Sequence, residues 1–283
     1  MRLLITGASG MLGVDVRRAA EEAGHEVAAP SRHDLDICDA SAVTDALGNV
    51  APEVVINCAA YTNVDGAETE PDRAHEVNAT AAGQLAAAAG AQGAWILQVS
   101  SDYVFSGAKD TPYLESDSTG PLSVYGHSKL AGERAVARAA PGAHTIVRSA
   151  WLFGPHGPCF PDTMLRLAAQ RDELTVVDDQ VGCPTFTGHL ARALVDLAER
   201  PRRPLGVVHA AASGECSWFG FAAEIVRAAG LSTPVRPIST AEFPRPARRP
   251  AYSVLRTARS DGPELPDWRA GLSEYLSARL VAG

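Results

Sequence analysis

The sequence predicts an α/β fold, a doubly wound parallel sheet carrying a smaller C-terminal substrate-binding region. Three observations predict it. Short runs that are apolar throughout alternate with helix-like stretches, a glycine-rich turn follows the first such run, and the alternation breaks down after about residue 150. Strands without a polar face belong to parallel sheets covered by helices on both sides.

The elements follow in order. Leu3–Thr6 reads as a strand and residues 11–23 as a helix, with a second strand at 26–29 and a helix at 40–48. Val54–Asn57 is the third strand, and one long alanine-rich helix is predicted over 71–89. A strand at 95–99, a helix at 122–138 and a strand at 145–148 complete the first half. Beyond it, Pro155, Pro158, Pro161 and Pro184 interrupt the pattern, with one more strand at 205–209 and one more helix at 218–229. The predicted organisation is a dinucleotide-binding domain over 1–150, completed by about 186–212, with 151–185 and 213–283 forming the substrate-binding region. Ligands are expected beyond the C-terminal ends of the strands.

The bulk properties narrow the function. A formal charge of −8 over 283 residues argues against nucleic acid as the main partner. Five scattered cysteines without a C-x-x-C read as reduced thiols, and no apolar run reaches the roughly 18 residues of a membrane span. The chain reads as a cytoplasmic enzyme that engages neither membrane nor nucleic acid.

Gly7, Gly10 and Gly13 recur every third residue between the first strand and its helix. Glycine there permits a tight turn and close approach of a diphosphate, which the helix N-terminus then faces. This is the Rossmann arrangement, and it places Gly7, Ser9, Gly10, Met11 and Leu12 against a nicotinamide dinucleotide. The second strand leads into Pro30-Ser31-Arg32-His33, where an NAD-binding acid would stand. Arg32 suits a 2′-phosphate, which favours NADPH and leaves NADH open. Asp36 and Ile37 are placed near adenine, and the small residues Ala59 and Ala60 leave room for the cofactor beside Tyr61.

Tyr125 and Lys129 stand at i and i+4, neighbours on one helix face. A nearby ammonium is expected to lower the phenol's pKa, so that Tyr125 can act as general acid to a carbonyl oxygen. Ser101, at the end of the fourth strand, offers that carbonyl a hydroxyl. The spacing Y-x-x-x-K alone is common, but hydroxyl, pair and glycine loop together make a carbonyl-reducing site.

With these residues the chain resembles the extended short-chain dehydrogenase/reductase family. The resemblance runs through Ile5–Gly13, Val55–Glu68 (VINCAAYTNVDGAE), Asn78-Ala79-Thr80, Val99–Phe105 (VSSDYVF), Pro121–Glu133, Arg148–Leu152 (RSAWL), Asp179–Thr185 (DQVGCPT) and Arg249–Leu255. VDGAE, SDYVF and DQVGCPT mark the branch that reduces dTDP-linked 4-keto-6-deoxysugars. The resemblance implies reduction of the C4 ketone of dTDP-4-dehydro-L-rhamnose by NADPH. It implies that Tyr125 donates the proton, that Lys129 binds the nicotinamide ribose, and that Asn78 supports a proton relay through water. Ser101 stands where many relatives carry threonine. Thr62, Val64, Asp102, Tyr103 and Trp151 match positions lining the sugar and cofactor pocket, with Trp151 packed on the deoxysugar.

Two departures carry consequences. Some relatives dimerise around Mg²⁺ held by carboxylates; Asp15 keeps one, but His189 replaces another, so no metal is expected and the chain reads as a monomer or weak homodimer. Pro155, Pro158 and Cys159 are unusual in the substrate loop. They leave open a related ketosugar of antibiotic-sugar synthesis, such as a streptose-type precursor. A non-catalytic subunit of the same fold is the remaining alternative, against which Tyr125, Lys129 and Ser101 speak.

Overall fold

The computed structural model describes residues 1–282. The first half comprises β1 (Arg2–Thr6), α1 (Met11–Glu22), β2 (Glu26–Ala28), α2 (Ala40–Val50), β3 (Val54–Asn57), α3 (Pro71–His75), α4 (Ala82–Ala91), β4 (Trp95–Ser101), α5 (Val124–Ala139) and β5 (His144–Ser149). Next come β6 (Leu152–Phe153), α6 (Phe160–Ala168), β7 (Leu174–Val177), β8 (Val181–Gly182), β9 (Thr185–Phe186), α7 (Thr187–Glu199) and β10 (Gly206–His209). The chain continues through β11 (Ala212–Ser213), β12 (Cys216–Ser217), α8 (Trp218–Ala228), β13 (Val235–Ile238), β14 (Leu265–Asp267) and α9 (Trp268–Ala282).

Six strands form one parallel sheet in the order β10-β5-β4-β3-β1-β2. The predicted fold class is therefore observed. Successive side chains of a strand point to opposite faces. Leu3, Ile5, Val54 and Ile56 accordingly pack with Leu12 and Val16 of α1 and Leu190 and Leu194 of α7. Leu4, Val55 and Ile96 pack on the other face with Leu47, Leu85 and Val136 of α2, α4 and α5. Each such fully buried side chain contributes about 1.5–3 kcal/mol, which is why these strands carry no polar face. A third core, around Phe153, Phe221, Trp268 and Tyr275, holds α6, α8 and α9 together.

The sheet order turns at β1: the chain moves outward to β2, then returns to place β3 on the other side. A crevice at such a switch point receives ligands in doubly wound sheets. The loops after β1 and β3 flank it.

One predicted element differs. The helix expected over 71–89 is interrupted, because Glu76–Ala81 forms a π-helical stretch between α3 and α4. There the catalytic helix presses in: a Cβ on Gly132 of α5 would lie 2.0 Å from the Asn78 carbonyl oxygen. A π turn inside a helix commonly marks a functional site. The alanine-rich composition offers no apolar period that could have signalled the change.

Candidate active site

The crevice is a cleft of about 1060 Å³. It is lined by Gly7, Ser9, Gly10, Met11 and Leu12 of the glycine turn and by Arg32, Asp36 and Ile37 after β2. Ala59, Ala60, Tyr61, Thr62 and Val64 follow β3, and Ser101, Asp102 and Tyr103 end β4. Tyr125, Lys129 and Trp151 close it. Every site residue predicted from the sequence lines this cleft except Asn78.

The glycine turn shows its requirement directly. Gly7 has φ +69°, and a Cβ there would lie 2.5 Å from the Ala59 amide nitrogen. The turn is thereby pressed onto the β3 loop. Gly13 allows α1 to cross close behind, since its Cβ would meet the Gly7 carbonyl oxygen at 2.1 Å. Gly10 is the N-cap of α1 and supplies no side-chain cap, leaving the first helical amides to face the cleft. These features fit a dinucleotide diphosphate. Arg32 is well exposed and only loosely paired with Asp36, at 3.9 Å, so its guanidinium is available to a further phosphate.

The catalytic helix is held at its start. Ser123 accepts from the Gly126 amide, and Glu68 Oε1 accepts from the Val124 amide at 2.9 Å. One turn on, the buried Lys129 donates from Nζ to the Val99 carbonyl at 2.8 Å. Burial lowers its pKa to about 8, and the Glu133 carboxylate, four residues further along the same face, opposes that fall. Tyr125 packs edge-on against Tyr103, with centroids 5.5 Å apart, and the Ser101 hydroxyl lies near enough to its phenol to favour the ionised form. Ser101 Oγ also accepts from the Tyr103 amide and donates to Asp102 Oδ1 at 2.9 Å.

One expectation is corrected here. The phenol of Tyr125 is not depressed by its lysine; burial pushes it up to about 12, with only the nearby Ser101 hydroxyl opposing. Desolvation dominates, and the Lys129 ammonium, engaged by the Val99 carbonyl, is not among the groups that lower it. A phenol so raised stays protonated at neutral pH, the state a proton donor needs. Asn78, in turn, does not reach the cleft. Its Oδ1 accepts from the Tyr61 amide, and its Nδ2 donates to the Tyr61 carbonyl and to Ser128 Oγ. The side chain fastens the β3 loop to the catalytic helix.

The family described as RmlD substrate binding domain matches residues 1–280. The chain belongs to this family. It is 46% identical to a dTDP-4-dehydrorhamnose reductase of Streptomyces griseus, over 98% of this chain and 93% of the relative. A solved dTDP-4-dehydrorhamnose reductase from Clostridium acetobutylicum superposes with a TM-score of 0.95 at 43% identity, covering 99% of this chain and 100% of that one. Another, from Bacillus anthracis in complex with NADP, has a TM-score of 0.94 at 36% identity over 98% and 99% of the two chains. The resemblance drawn from the motifs therefore holds, and with it the reading of an oxidoreductase of the short-chain dehydrogenase/reductase kind.

In this RmlD-family chain the structure adds residues that the sequence reading missed. Trp218 stacks on Trp151 with centroids 3.6 Å apart and planes 3° apart, and both line the cleft. Trp151 holds φ +47°, an unusual backbone for a bulky residue, and a Cβ on Gly182 would lie 2.4 Å from its indole. The glycine of DQVGCPT thus makes room for Trp151, one of whose faces is taken by protein. VDGAE is explained too. Glu68 caps the catalytic helix, and Asp65 accepts from Arg245, Arg249 and the Ala247 amide. Against the cost of burial, those bonds hold the Asp65 carboxyl down at about 2.

The two positions weighed for a metal have other partners. Asp15 accepts from Thr187 and Arg18, and His189 is bonded to Glu274 at 2.7 Å. Among the described residues no cluster of ligating side chains could hold a metal ion, and no helix is long and apolar enough to cross a membrane.

Proposed function

We propose that this protein reduces the C4 ketone of dTDP-4-dehydro-L-rhamnose to dTDP-L-rhamnose, with NADPH as cofactor. The observation that carries the proposal is that Ser101, Tyr125 and Lys129 line one cleft of about 1060 Å³ together with the glycine turn. The relatives' names support the substrate, and the NADP in the Bacillus anthracis structure supports the cofactor.

When bound, the dihydronicotinamide supplies the hydride. The glycine turn and the α1 N-terminus hold its diphosphate, Arg32 its 2′-phosphate, and Lys129 the ribose beside the ring. Ser101 and Tyr125 hydrogen-bond the substrate carbonyl, polarising it. Tyr125 then delivers its proton to the oxygen as negative charge develops there, a contribution of roughly 10²–10⁴-fold. Thr62, Val64, Asp102, Tyr103 and Trp151 surround the sugar, and the region formed by 151–185 and 213–283 closes over it.

The test offers purified protein a panel of dTDP-4-keto-6-deoxysugars with NADPH and follows nicotinamide absorbance. Highest kcat/KM for dTDP-4-dehydro-L-rhamnose is expected. Equal or better turnover of another ketosugar would replace the substrate, a reading for which Pro158 in the cleft wall is the observation.

The cofactor assignment has its own check. Arg32→Ala is expected to lower the NADPH-to-NADH ratio of kcat/KM roughly tenfold, the worth of one charge-assisted contact to phosphate. An unchanged ratio would show that Arg32 is only a solvated loop charge.

A further inference from the structure

The two tryptophans that line the cleft, Trp151 and Trp218, leave neither indole an open face. Ser149 ends β5 opposite Ser101 in the register of the sheet, and Trp151 follows two residues later, so the pair stands near the carbonyl-reducing end of the cleft. A Cβ on Gly182 would lie nearest Cε2 of the Trp151 indole, and 2.7 and 2.8 Å from Nε1 and Cζ2, two of the atoms bonded to it. A point nearest one ring atom and almost equally farther from its neighbours lies above the ring plane, not beyond the rim. Gly182 therefore covers one face of Trp151. Trp218 runs parallel to Trp151 with centroids 3.6 Å apart, and since it cannot share the space of Gly182 it covers the other face.

Trp218 is backed in turn by Phe160, with centroids 4.6 Å apart and planes inclined by 51°. That separation is too short for rings meeting rim to rim, so Phe160 lies over the face that Trp151 leaves. The backbone on both sides is tied down. β8, which carries Gly182, pairs with β12 directly before Trp218, and Ser217 caps α8 by accepting from the Gly220 amide at 2.9 Å. Free aromatic rings prefer offset or edge-on arrangements to a sandwich of this kind, so the stack is imposed by the elements that clamp it.

A sugar packs its C–H bonds on an open aromatic face, which Trp151 does not offer. What the two indoles present to the cleft is rim, the positive side of the ring quadrupole, together with N–H groups that can only donate. Among the described residues, the indole nitrogen of Trp95 donates to Thr145 and that of Trp268 is buried, whereas those of Trp151 and Trp218 are neither bonded to protein nor buried. Such rims suit the oxygens of a sugar.

We propose that Trp218 is a substrate-positioning residue: by closing the second face of Trp151 it makes the deoxysugar meet the rims of two indoles, whose N–H groups donate to its oxygens. The inference rests on the reduction proposed above and deepens it, naming the wall that holds the C4 ketone in place before Tyr125.

The experiment titrates the intact enzyme with dTDP-L-rhamnose and with dTDP, which lacks the deoxysugar. NADPH is present throughout, since it cannot react with the reduced sugar. In Trp218→Ala the affinity for dTDP-L-rhamnose is expected to fall roughly 10- to 100-fold, as when an aromatic anchor is truncated. The affinity for dTDP should stay close to the wild-type value. Trp218→Phe keeps a ring against Trp151 and Phe160 but loses the N–H, and should weaken dTDP-L-rhamnose roughly 2- to 10-fold, the worth of one hydrogen bond. A role confined to the fold would leave the Trp218→Phe affinities unchanged. In protein protonated only at its four tryptophans, NMR cross-relaxation between the Trp151 and Trp218 rings should persist when dTDP-L-rhamnose is bound.

Loss of that cross-relaxation on binding would overturn the proposal, because the sugar would then have displaced Trp218 to stack on Trp151. Variants that bind dTDP-L-rhamnose as wild type does, or that lose dTDP to the same degree, overturn it as well and leave the reduction standing. If the wild-type enzyme binds neither dTDP nor dTDP-L-rhamnose, the proposed reduction falls and this inference with it.

Discussion

Tyr125→Phe is expected to lose roughly 10³-fold in kcat while binding NADPH with nearly unchanged affinity. The substitution removes one oxygen and keeps the ring, so the edge-on packing against Tyr103 survives. It takes away the group whose proton meets the developing alkoxide, and general-acid catalysis is worth about 10²–10⁴-fold. Burial keeps the wild-type phenol protonated, with its constant raised to about 12, so no ordinary pH deprives the native enzyme of its donor. Loss of activity at high pH should instead follow Lys129, whose constant lies at about 8. Cofactor affinity is read by fluorescence titration and turnover by nicotinamide absorbance. An unchanged rate would refute the role given to Tyr125.

Glu133→Gln is expected to be the most damaging single change away from the reacting atoms. Glu133 accepts from Arg148 Nε at 2.8 Å and Nη2 at 2.6 Å and from Ser100 Oγ at 2.6 Å. Both members of the ion pair are about 95% buried, with side-chain exposures of 5% and 4%. Removing one charge leaves the other uncompensated in the interior, which costs about 3–5 kcal/mol. For a chain of this size that is a fall in Tm of roughly 6–15 °C.

The same carboxylate holds the Lys129 ammonium in its charged form. Without it the constant of Lys129 falls further below about 8, so the alkaline limb of activity should move to lower pH. Replacing both partners, Glu133→Leu with Arg148→Met, should restore much of the Tm but not the position of that limb. Calorimetry and a pH profile separate the two effects. A limb that stays in place in Glu133→Gln would show that Glu133 serves the fold alone.

The parts of the molecule legible in the sequence are those with local causes. β3 reads as a strand because Val54, Val55 and Ile56 are apolar in succession, which only a sheet covered on both faces accepts. Gly7 and Gly13 announce the cofactor turn because close backbone approach forbids a Cβ at either position. Tyr125 and Lys129 are paired by helical geometry alone.

What the sequence hid depends on residues far apart along the chain. The π-helical stretch at Glu76–Ala81 answers the packing of Gly132, and nothing in the alanine run encodes it. The bonds that tie Asn78 to Tyr61 and to Ser128 of the catalytic helix form only once the helices meet. Trp218 reaches Trp151 because β12 pairs with β8, a contact no spacing rule reveals. Burial, likewise a property of the folded whole, reverses the expected direction of the Tyr125 pKa.

The central claim is that this cleft passes hydride from NADPH to C4 of a dTDP-linked ketosugar. It is tested most directly by supplying NADPH deuterated at the transferable position with dTDP-4-dehydro-L-rhamnose and analysing the product by mass spectrometry and NMR. One deuteron at C4 of dTDP-L-rhamnose for each NADPH oxidised is the result expected here. Product without deuterium at C4, or oxidation of NADPH without a reduced sugar, would contradict the account.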